Sequence, residues 1–350
     1  MNGVSLFSSS GIGELFLKKN GINIKVANEL IKRRADLYNI IHKDSYMICG
    51  DINDKVIFDE IVKISKKDKC KFLIATPPCQ GFSLAGKNKN LTEMQLDERN
   101  YLFLKVIELV KIQKFDYIII ENVPRFLQLV LPYKGKLLSP ESILNNELGK
   151  NYNINVQIYN SAEYSIPQTR KRAIIKIYKK NLNWLPPKKH KKQITLREAI
   201  GHLPSLESGE KSKIKWHFAR VHSELHIETM KHTPEGKSAF QNKKYFPKTK
   251  DGLVPKGFAT TYARLKWDEP SPTITMRNDA VSSQRNVHPG RKLKDGTYSD
   301  ARVLTIKELF LLTGLGDDFE LPINTPEILI RQVIGECVPP GLIYEITKTI

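Results

Sequence analysis

Short apolar runs recur through the first half of the chain: "VSLF" (4 to 7), "INIKVA" (22 to 27), "YMICG" (46 to 50), "FLIA" (72 to 75), "DYIII" (116 to 120), "NVQIYN" (155 to 160) and "AIIKIY" (173 to 178). Between several of them, "GELFLKKN", "ELIKRRADLYNIIHK" and "LFLKVIELVKIQK" carry apolar residues at helical spacing. Such alternation restricts the chain to an α/β architecture, a Rossmann-like, doubly wound and mostly parallel sheet. The pattern stops near residue 179, where "KKNLNWLPPKKHKK" reads as a surface linker. The next stretch, rich in Lys, Gly, Pro and aromatics, shows no sustained period, so a smaller irregular second domain is expected. Helical patterns return at "LTIKELFLLTGL" and "PPGLIYEITKTI".

Composition narrows the partners. The 56 Lys+Arg against 37 Asp+Glu leave a net charge of +19 in 350 residues, a balance that favours polyanions, nucleic acid above all. The four cysteines (Cys49, Cys70, Cys79, Cys337) show no CxxC and no metal-like spacing with histidine, so neither a metal site nor a disulfide framework is expected. No signal-peptide pattern opens the chain, and no apolar run approaches the roughly 18 residues of a membrane span. A soluble cytoplasmic protein without membrane partners is the expectation.

Chemistry concentrates where strands end. In "FLIATPPCQGF" two prolines stop a buried strand, because proline lacks the ladder donor, and Cys79 follows at the edge where α/β sheets bind ligands. A lone cysteine is ordinarily a small buried hydrophobe. A loop position near basic residues favours instead a thiolate nucleophile, which needs an acid or base partner. Glu121 and Asn122 follow the strand "YIII" toward the same edge; desolvation there can keep a carboxyl protonated, while the plain alternative is a strand-terminating glutamate paired to a lysine. In "LFSSSGIGELFLKKNG" a strand, a turn with Gly11 and Gly13, and a helix set backbone N–H groups toward a ligand. Glu29, 18 positions after Gly11, is placed to bind a ribose hydroxyl pair, and Asp51 closes the third strand. Together they point to a nucleoside-containing cofactor. "IPQTRKRAIIKIY" puts Arg170 and Arg172 on one face by the period of two.

In this order the four constellations resemble the carbon-5 cytosine-specific DNA methyltransferases, over most of the chain. The shared motifs are Phe7 to Gly13, Pro78-Cys79-Gln80, Glu121-Asn122-Val123 and Gln168-Thr169-Arg170-Lys171-Arg172, followed by "RLKWDEPSPTITMRN", "ARVLTIKELFLLTGLGDDF" and "RQVIGECVPP". The resemblance implies the S-adenosylmethionine-dependent methyltransferase fold, with a discontinuous catalytic domain (1–190 plus 325–350) and a target-recognition domain (191–324, its variable part about 193–265). It further implies S-adenosylmethionine held by Phe7, Ser10, Gly11, Ile12, Glu29, Leu30, Asp51, Ile52, Pro78 and Val338. Catalysis would fall to Cys79, Gln80, Glu121, Asn122, Arg170 and Arg172. Double-stranded DNA would meet Ser83, Gln168, Arg220, Arg264 and Arg277, and the loop from Gly81 to about Arg99 would close over a flipped cytosine. Trp216, His217, Tyr245, Phe246 and Tyr262 suit base readout, although most of these aromatics read as the small domain's core. A restriction–modification setting, with a cognate endonuclease encoded nearby, and a monomer complete the expectation.

Two departures stand out. Where the family has Phe-x-Gly-x-Gly, this chain has Ser9 in place of the first glycine, and a common Gly-Asn is here Gly335-Glu336. The alternatives are a transfer RNA cytosine-5 methyltransferase, which shares the thiol and the acid, and a catalytically silent DNA-binding paralogue. The long basic insertion after residue 190 favours DNA, and the intact Cys79 and Glu121 favour an enzyme.

Overall fold

The computed structural model describes residues 1–78, 97–242, 245–248, 251–253, 260–283 and 285–350. They divide into two compact units. The first comprises Met1–Asn160, Lys171–Lys188 and Ile343–Ile350, and the second Ser161–Arg170 and Lys189–Leu342. The domain limits expected at 190 and 325 are drawn differently by this division, which assigns the segment up to Leu342 to the second unit.

All seven apolar runs are strands of one sheet in the first unit: β1 (Asn2–Leu6), β2 (Asn23–Glu29), β3 (Tyr46–Cys49), β4 (Phe72–Ala75), β5 (Tyr117–Asn122), β8 (Tyr152–Asn160) and β10 (Lys171–Lys179). The order is β3-β2-β1-β4-β5-β10-β8. β1 to β5 pair in parallel, and β10 runs antiparallel to both β5 and β8. A short hairpin, β6 (Leu131–Tyr133) with β7 (Lys136–Leu138), follows β5. Every residue of β4 is buried, the continuous apolar run that a central parallel strand requires, whereas β8 at the edge is partly exposed. Because the order reverses between β1 and β4, a crevice is expected at their carboxyl ends.

The helices α1 (Lys32–Ile41) and α3 (Phe103–Gln113) lie where the apolar spacing placed them. Two more were not read from the sequence: α2 (Lys55–Lys67), capped by the Asp54 side chain, and α4 (Pro140–Leu148), capped by Ser139. Phe58 and Ile61 of α2 and Phe103, Val106 and Val110 of α3 pack with Val4, Leu6, Leu73 and Ile118 of the sheet. "GELFLKKN" departs from expectation. It forms two single 3₁₀ turns, Ile12–Glu14 and Leu17–Asn20, bounded by Gly11 (φ 72°) and Gly21 (φ 71°), whose left-handed conformations leave too few residues for a regular helix. The expected linker is also partly packed. Trp184 is buried, its Nε1 donates to Ile346 O, and Lys176 Nζ donates to Trp184 O and Leu185 O.

Regular structure is sparse in the second unit. Among its described residues the helices are α5 (Leu196–Ile200), α6 (Glu224–Lys231), α7 (Ile306–Leu312) and α8 (Glu327–Glu336), and α9 (Pro340–Thr347) runs across the division. Two-residue strands, β9 (Gln168–Thr169) and β11 (Ser271–Pro272), pair in parallel. Buried arginines organise the loops. Arg264 donates to the carbonyls of Met230, Thr233, His288 and Pro289. Arg302 joins Leu206 O to the carboxylates of Asp300 and Glu308. Burial pushes the Arg264 guanidinium down to about 10, still charged at neutral pH. Among the described residues no helix is long and apolar enough to cross a membrane.

Two predictions follow from this buried polar framework. Arg264→Met keeps the bulk but leaves those carbonyls unmatched, and should lower stability to urea by about 3 kcal/mol or more; an unchanged midpoint would contradict the assignment. Burial also lowers His222 and His288 from 6.5 to about 4. Both rings accept a backbone N–H, from Val303 and Gly290 respectively, which requires one unprotonated nitrogen. A base whose folded value is depressed favours the folded state above pH 6.5, and that advantage disappears as pH falls through about 4. Urea midpoints followed by tryptophan fluorescence should therefore fall between pH 7 and pH 4.5, by about 1–3 kcal/mol per histidine.

Candidate active site

The segment leaving β1 at the reversal turns sharply. Phe7, Ser9 and Gly11 have φ of 59°, 49° and 72°. Ser9 thus adopts a conformation natural to glycine, which gives the physical sense of the departure noted at this position. Ser8 N donates to Asn28 O, and Gly11 N to Ser8 O. The buried carboxylate of Glu29, at the end of β2, accepts Ser9 N at Oε2 and Ile31 N at Oε1, each at 2.8 Å. Each oxygen keeps a further acceptor site, so the side chain is oriented and still able to bind hydroxyls. Ser10 is buried, and its Oγ has no hydrogen-bond partner. A buried hydroxyl without a partner is the kind of atom that a polar ligand would satisfy.

Around this loop, Leu30 is 63% exposed just beyond Glu29, whereas Ile12 and Ile52 are buried. Asp51 is exposed, and its Oδ1 accepts Asn53 N. Gly11 is required for two reasons: its positive φ, and a Cβ that would lie 2.3 Å from His42 Nε2 and 2.6 Å from Tyr38 Cε2. That side of the loop faces protein.

At the end of β4, Thr76 Oγ1 donates to Phe7 O. Pro77 and Pro78 follow, while Cys79, Gln80 and Ser83, and most of the loop from Gly81 to Arg99, lie outside the described residues. On the adjacent strand β5, Glu121 is 8% exposed and pairs with Arg172 Nε at 2.8 Å, rather than with a lysine. Asn122 Nδ2 donates to Pro77 O at 3.2 Å, and its Oδ1 accepts Val123 N. The register of β5 against β10, Asn122 opposite Ala173, sets Arg172 beside the strand end.

The period of two does not apply to Arg170 and Arg172, because Arg170 lies between β9 and β10 and only Arg172 is within a strand. Arg170 is 1% exposed in the second unit, and its guanidinium donates to the carbonyls of Ile274, Gly335 and Glu336. Gln168 is likewise buried, donating to Leu312 O and accepting Ile274 N. Arg264 is the carbonyl bracket already described. Gln168 and Arg264, expected against DNA, therefore have their polar groups turned into the protein by loop carbonyls that need donors. Arg277 is different, with its side chain 72% exposed beside Asp279. Arg220 is 30% exposed and paired with Glu327, and Val338, just past α8, is buried. Trp216 and His217 belong to the unit's core.

Sequence reasoning passed over Asn28, whose side chain ties β2 to Ile48 O and Gly50 O, and Glu14, a buried carboxyl under the loop. Glu14 directly follows the Gly-Ile-Gly turn, a signal that was present. From the geometry of the loop, Gly11→Ala should destabilise by about 2 kcal/mol or more, through both strain and overlap. Ser9→Gly should be neutral or stabilise by up to about 1 kcal/mol. Thermal unfolding of the two variants side by side checks both.

A family model described as C-5 cytosine-specific DNA methylase matches residues 1–350. The chain is 55% identical to Type II methyltransferase M1.HgaI of Avibacterium volantium, over 99% of this chain and 97% of that protein. It is 28% identical to Type II methyltransferase M1.HphI of Haemophilus parahaemolyticus, over 99% and 86%. Among solved structures, a DNA modification methyltransferase encoded within an E. coli prophage superposes with a TM-score of 0.71 at 20% identity, covering 100% of this chain and 98% of that one. Spodoptera frugiperda DNMT2 gives 0.64 at 16% identity, covering 98% and 97%. These two likenesses show the fold. With its family model matched from end to end, the chain belongs to the C-5 cytosine-specific DNA methylases.

Proposed function

We propose that this DNA methyltransferase uses S-adenosylmethionine and a Cys79 adduct to methylate carbon 5 of a cytosine flipped out of double-stranded DNA. The observation that carries the assignment is the bond from Asn122 to Pro77 O: it ties the chain two residues before Cys79 to the residue next to Glu121. The root of the thiol's loop and the acid thus belong to one hydrogen-bonded framework, with Arg172 on the carboxylate.

The roles follow from the chemistry of cytosine, whose carbon 5 is a weak nucleophile. Attack of the Cys79 thiolate on carbon 6 makes it enamine-like. Glu121 hydrogen-bonds or protonates ring N3, and Arg172 orients Glu121. Loss of the carbon-5 proton and β-elimination then free the thiol. Asn122 orders the loop entry. Arg170, whose two terminal nitrogens donate to the carbonyls of Ile274, Gly335 and Glu336, serves the fold of the second unit. S-adenosylmethionine, when bound, supplies an electrophilic methyl group on a sulfonium. The residues fit it: Glu29 offers an oriented carboxylate for a ribose, Ser10 an unpartnered hydroxyl, and Leu30 an exposed apolar surface.

The second unit supplies target recognition in this reading, with Arg277 and Arg220 as phosphate or base contacts. The +19 charge supports a polyanionic substrate, and the Type II names of the relatives support a restriction–modification setting with a cognate endonuclease. A monomer in the cytoplasm is the matching state.

Labelled methyl transfer to DNA and to transfer RNA in parallel, with identification of the modified base, tests the reading. Label should appear as 5-methylcytosine in DNA; label in RNA alone would change the substrate, and none in either would favour a silent paralogue. Cys79→Ala should abolish transfer while cofactor binding persists. Glu121→Gln should lower kcat by about 10²–10⁴-fold. Appreciable transfer by Cys79→Ala would remove the thiol from the mechanism.

A further inference from the structure

A hydrogen-bonded chain under the 7–13 loop has no part in the reading above. Glu14 is 7% exposed. Its Oε1 is bonded to Ser5 Oγ, which lies 2.7 Å from Ser8 Oγ, and its Oε2 accepts the Tyr38 hydroxyl at 2.9 Å. Tyr38 OH is also 3.3 Å from Ser45 Oγ. The His42 ring lies 4.4 Å from that of Tyr38, and its Nε2 is 2.9 Å from Gly11 O, to which it must donate. One cluster thus touches the loop at Ser8 and Gly11.

We propose that Glu14 is the positioning residue of this loop: its buried carboxyl, through Ser5, Ser8 and Tyr38, holds the loop in the form that binds the cofactor. The inference rests on the S-adenosylmethionine reading.

Hydroxyl chains have a direction. With Glu14 protonated on Oε1, the acid donates to Ser5, Ser5 donates to Ser8, and the Ser8 hydroxyl is released to donate elsewhere. With Glu14 ionised, Ser5 must donate to it, Ser8 donates to Ser5, and the Ser8 proton is committed inward. One protonation event at a buried carboxyl therefore changes what the loop offers a ligand.

Burial brings the neutral form within reach near neutral pH, whereas the Ser5 and Tyr38 hydroxyls favour the ionised one. Around Glu14 stand Ser5 from β1, Ser8 from the loop, and Tyr38 from α1; none brings a formal charge at neutral pH. Burial pushes the carboxyl up from 4.5 to about 7, against the opposing bonds from Ser5 and Tyr38. Burial also drives the Tyr38 phenol well above its usual value and lowers His42 to about 4, so neither ring is charged near pH 7. A cation acting on His42 is Lys18, itself paired with Asp44 at 2.6 Å.

The test compares the full-length wild type with Glu14→Gln and Tyr38→Phe. In urea unfolding without cofactor, the wild type should lose stability relative to Glu14→Gln as pH rises from 4.5 through about 7 and then level off, because a raised folded value favours folding only while the group stays protonated. Tyr38→Phe removes a donor that stabilises the carboxylate, and should move that break to higher pH; this also decides the matter if Glu14→Gln fails to fold. In titration calorimetry with S-adenosylmethionine, wild-type affinity relative to Glu14→Gln should be flat below pH 7 and fall above it, by at most about tenfold per pH unit. The ligand's own α-amino group titrates near this range, at about 8, in every variant, so only the difference is read. Superimposable stability profiles would overturn the proposal. A sloping stability difference with a flat affinity difference would sever Glu14 from the loop. Failure of all three proteins to bind S-adenosylmethionine would overturn the cofactor reading and the proposal with it, whereas a binding wild type with a flat difference overturns the proposal alone.

Discussion

The reversal of strand order between β1 and β4 is the constraint on which the first unit depends. Two parallel neighbours whose connections depart to opposite sides leave a gap at their carboxyl ends, and no helix can close it. The chain fills this gap with loops, which must find partners for their polar backbone groups. Thr76 serves Phe7, Asn122 serves Pro77, and the Glu29 carboxylate serves Ser9 and Ile31. The side chains that hold these loops lie at, or just beyond, the ends of their strands. Structure and prospective chemistry share the same atoms there, so the loops cannot be secured by apolar packing alone.

The second unit meets the same problem with little sheet: among its described residues only the β9–β11 pair and isolated bridges are present. Most of its described loops lack ladder partners, and arginine forks take that place. Arg170, Arg264, Arg302 and Arg331 are each no more than 2% exposed and donate to carbonyls or carboxylates from distant parts of the unit. A guanidinium suits the task because its donors radiate in one plane and it remains charged when buried. Separating such a network exposes several unsatisfied groups at once, which makes the irregular fold cooperative.

Most of the first unit was legible in the sequence because parallel strands write themselves as apolar runs, and all seven runs became strands. The failures share a cause. α2 has an Asp54 cap and a good apolar face, but it lies in a lysine-rich stretch that hides the period. "GELFLKKN" has the period without the length, because two left-handed glycines bracket it. At the site, Glu29, Glu121 and Asn122 emerge at strand ends as their position in the pattern implied. Arg170, Gln168 and Arg264 misled, because the sequence shows a donor's presence but not which carbonyl requires it. The pairing of Arg172 with Glu121 depends on a strand register that local pattern does not specify.

The arginine framework also bears on how such a protein could change over time. A core that depends on interlocking side chains resists substitution, since each residue limits its neighbours' shapes. The carbonyls that Arg264 engages belong to the backbone, which every residue type possesses, so the exposed side chains elsewhere on the segments that carry the buried Met230, Thr233, His288 and Pro289 are released from part of that mutual constraint. A few buried forks could then support many surfaces, and new specificities could arise on this unit by drift of its exposed residues while its architecture persists.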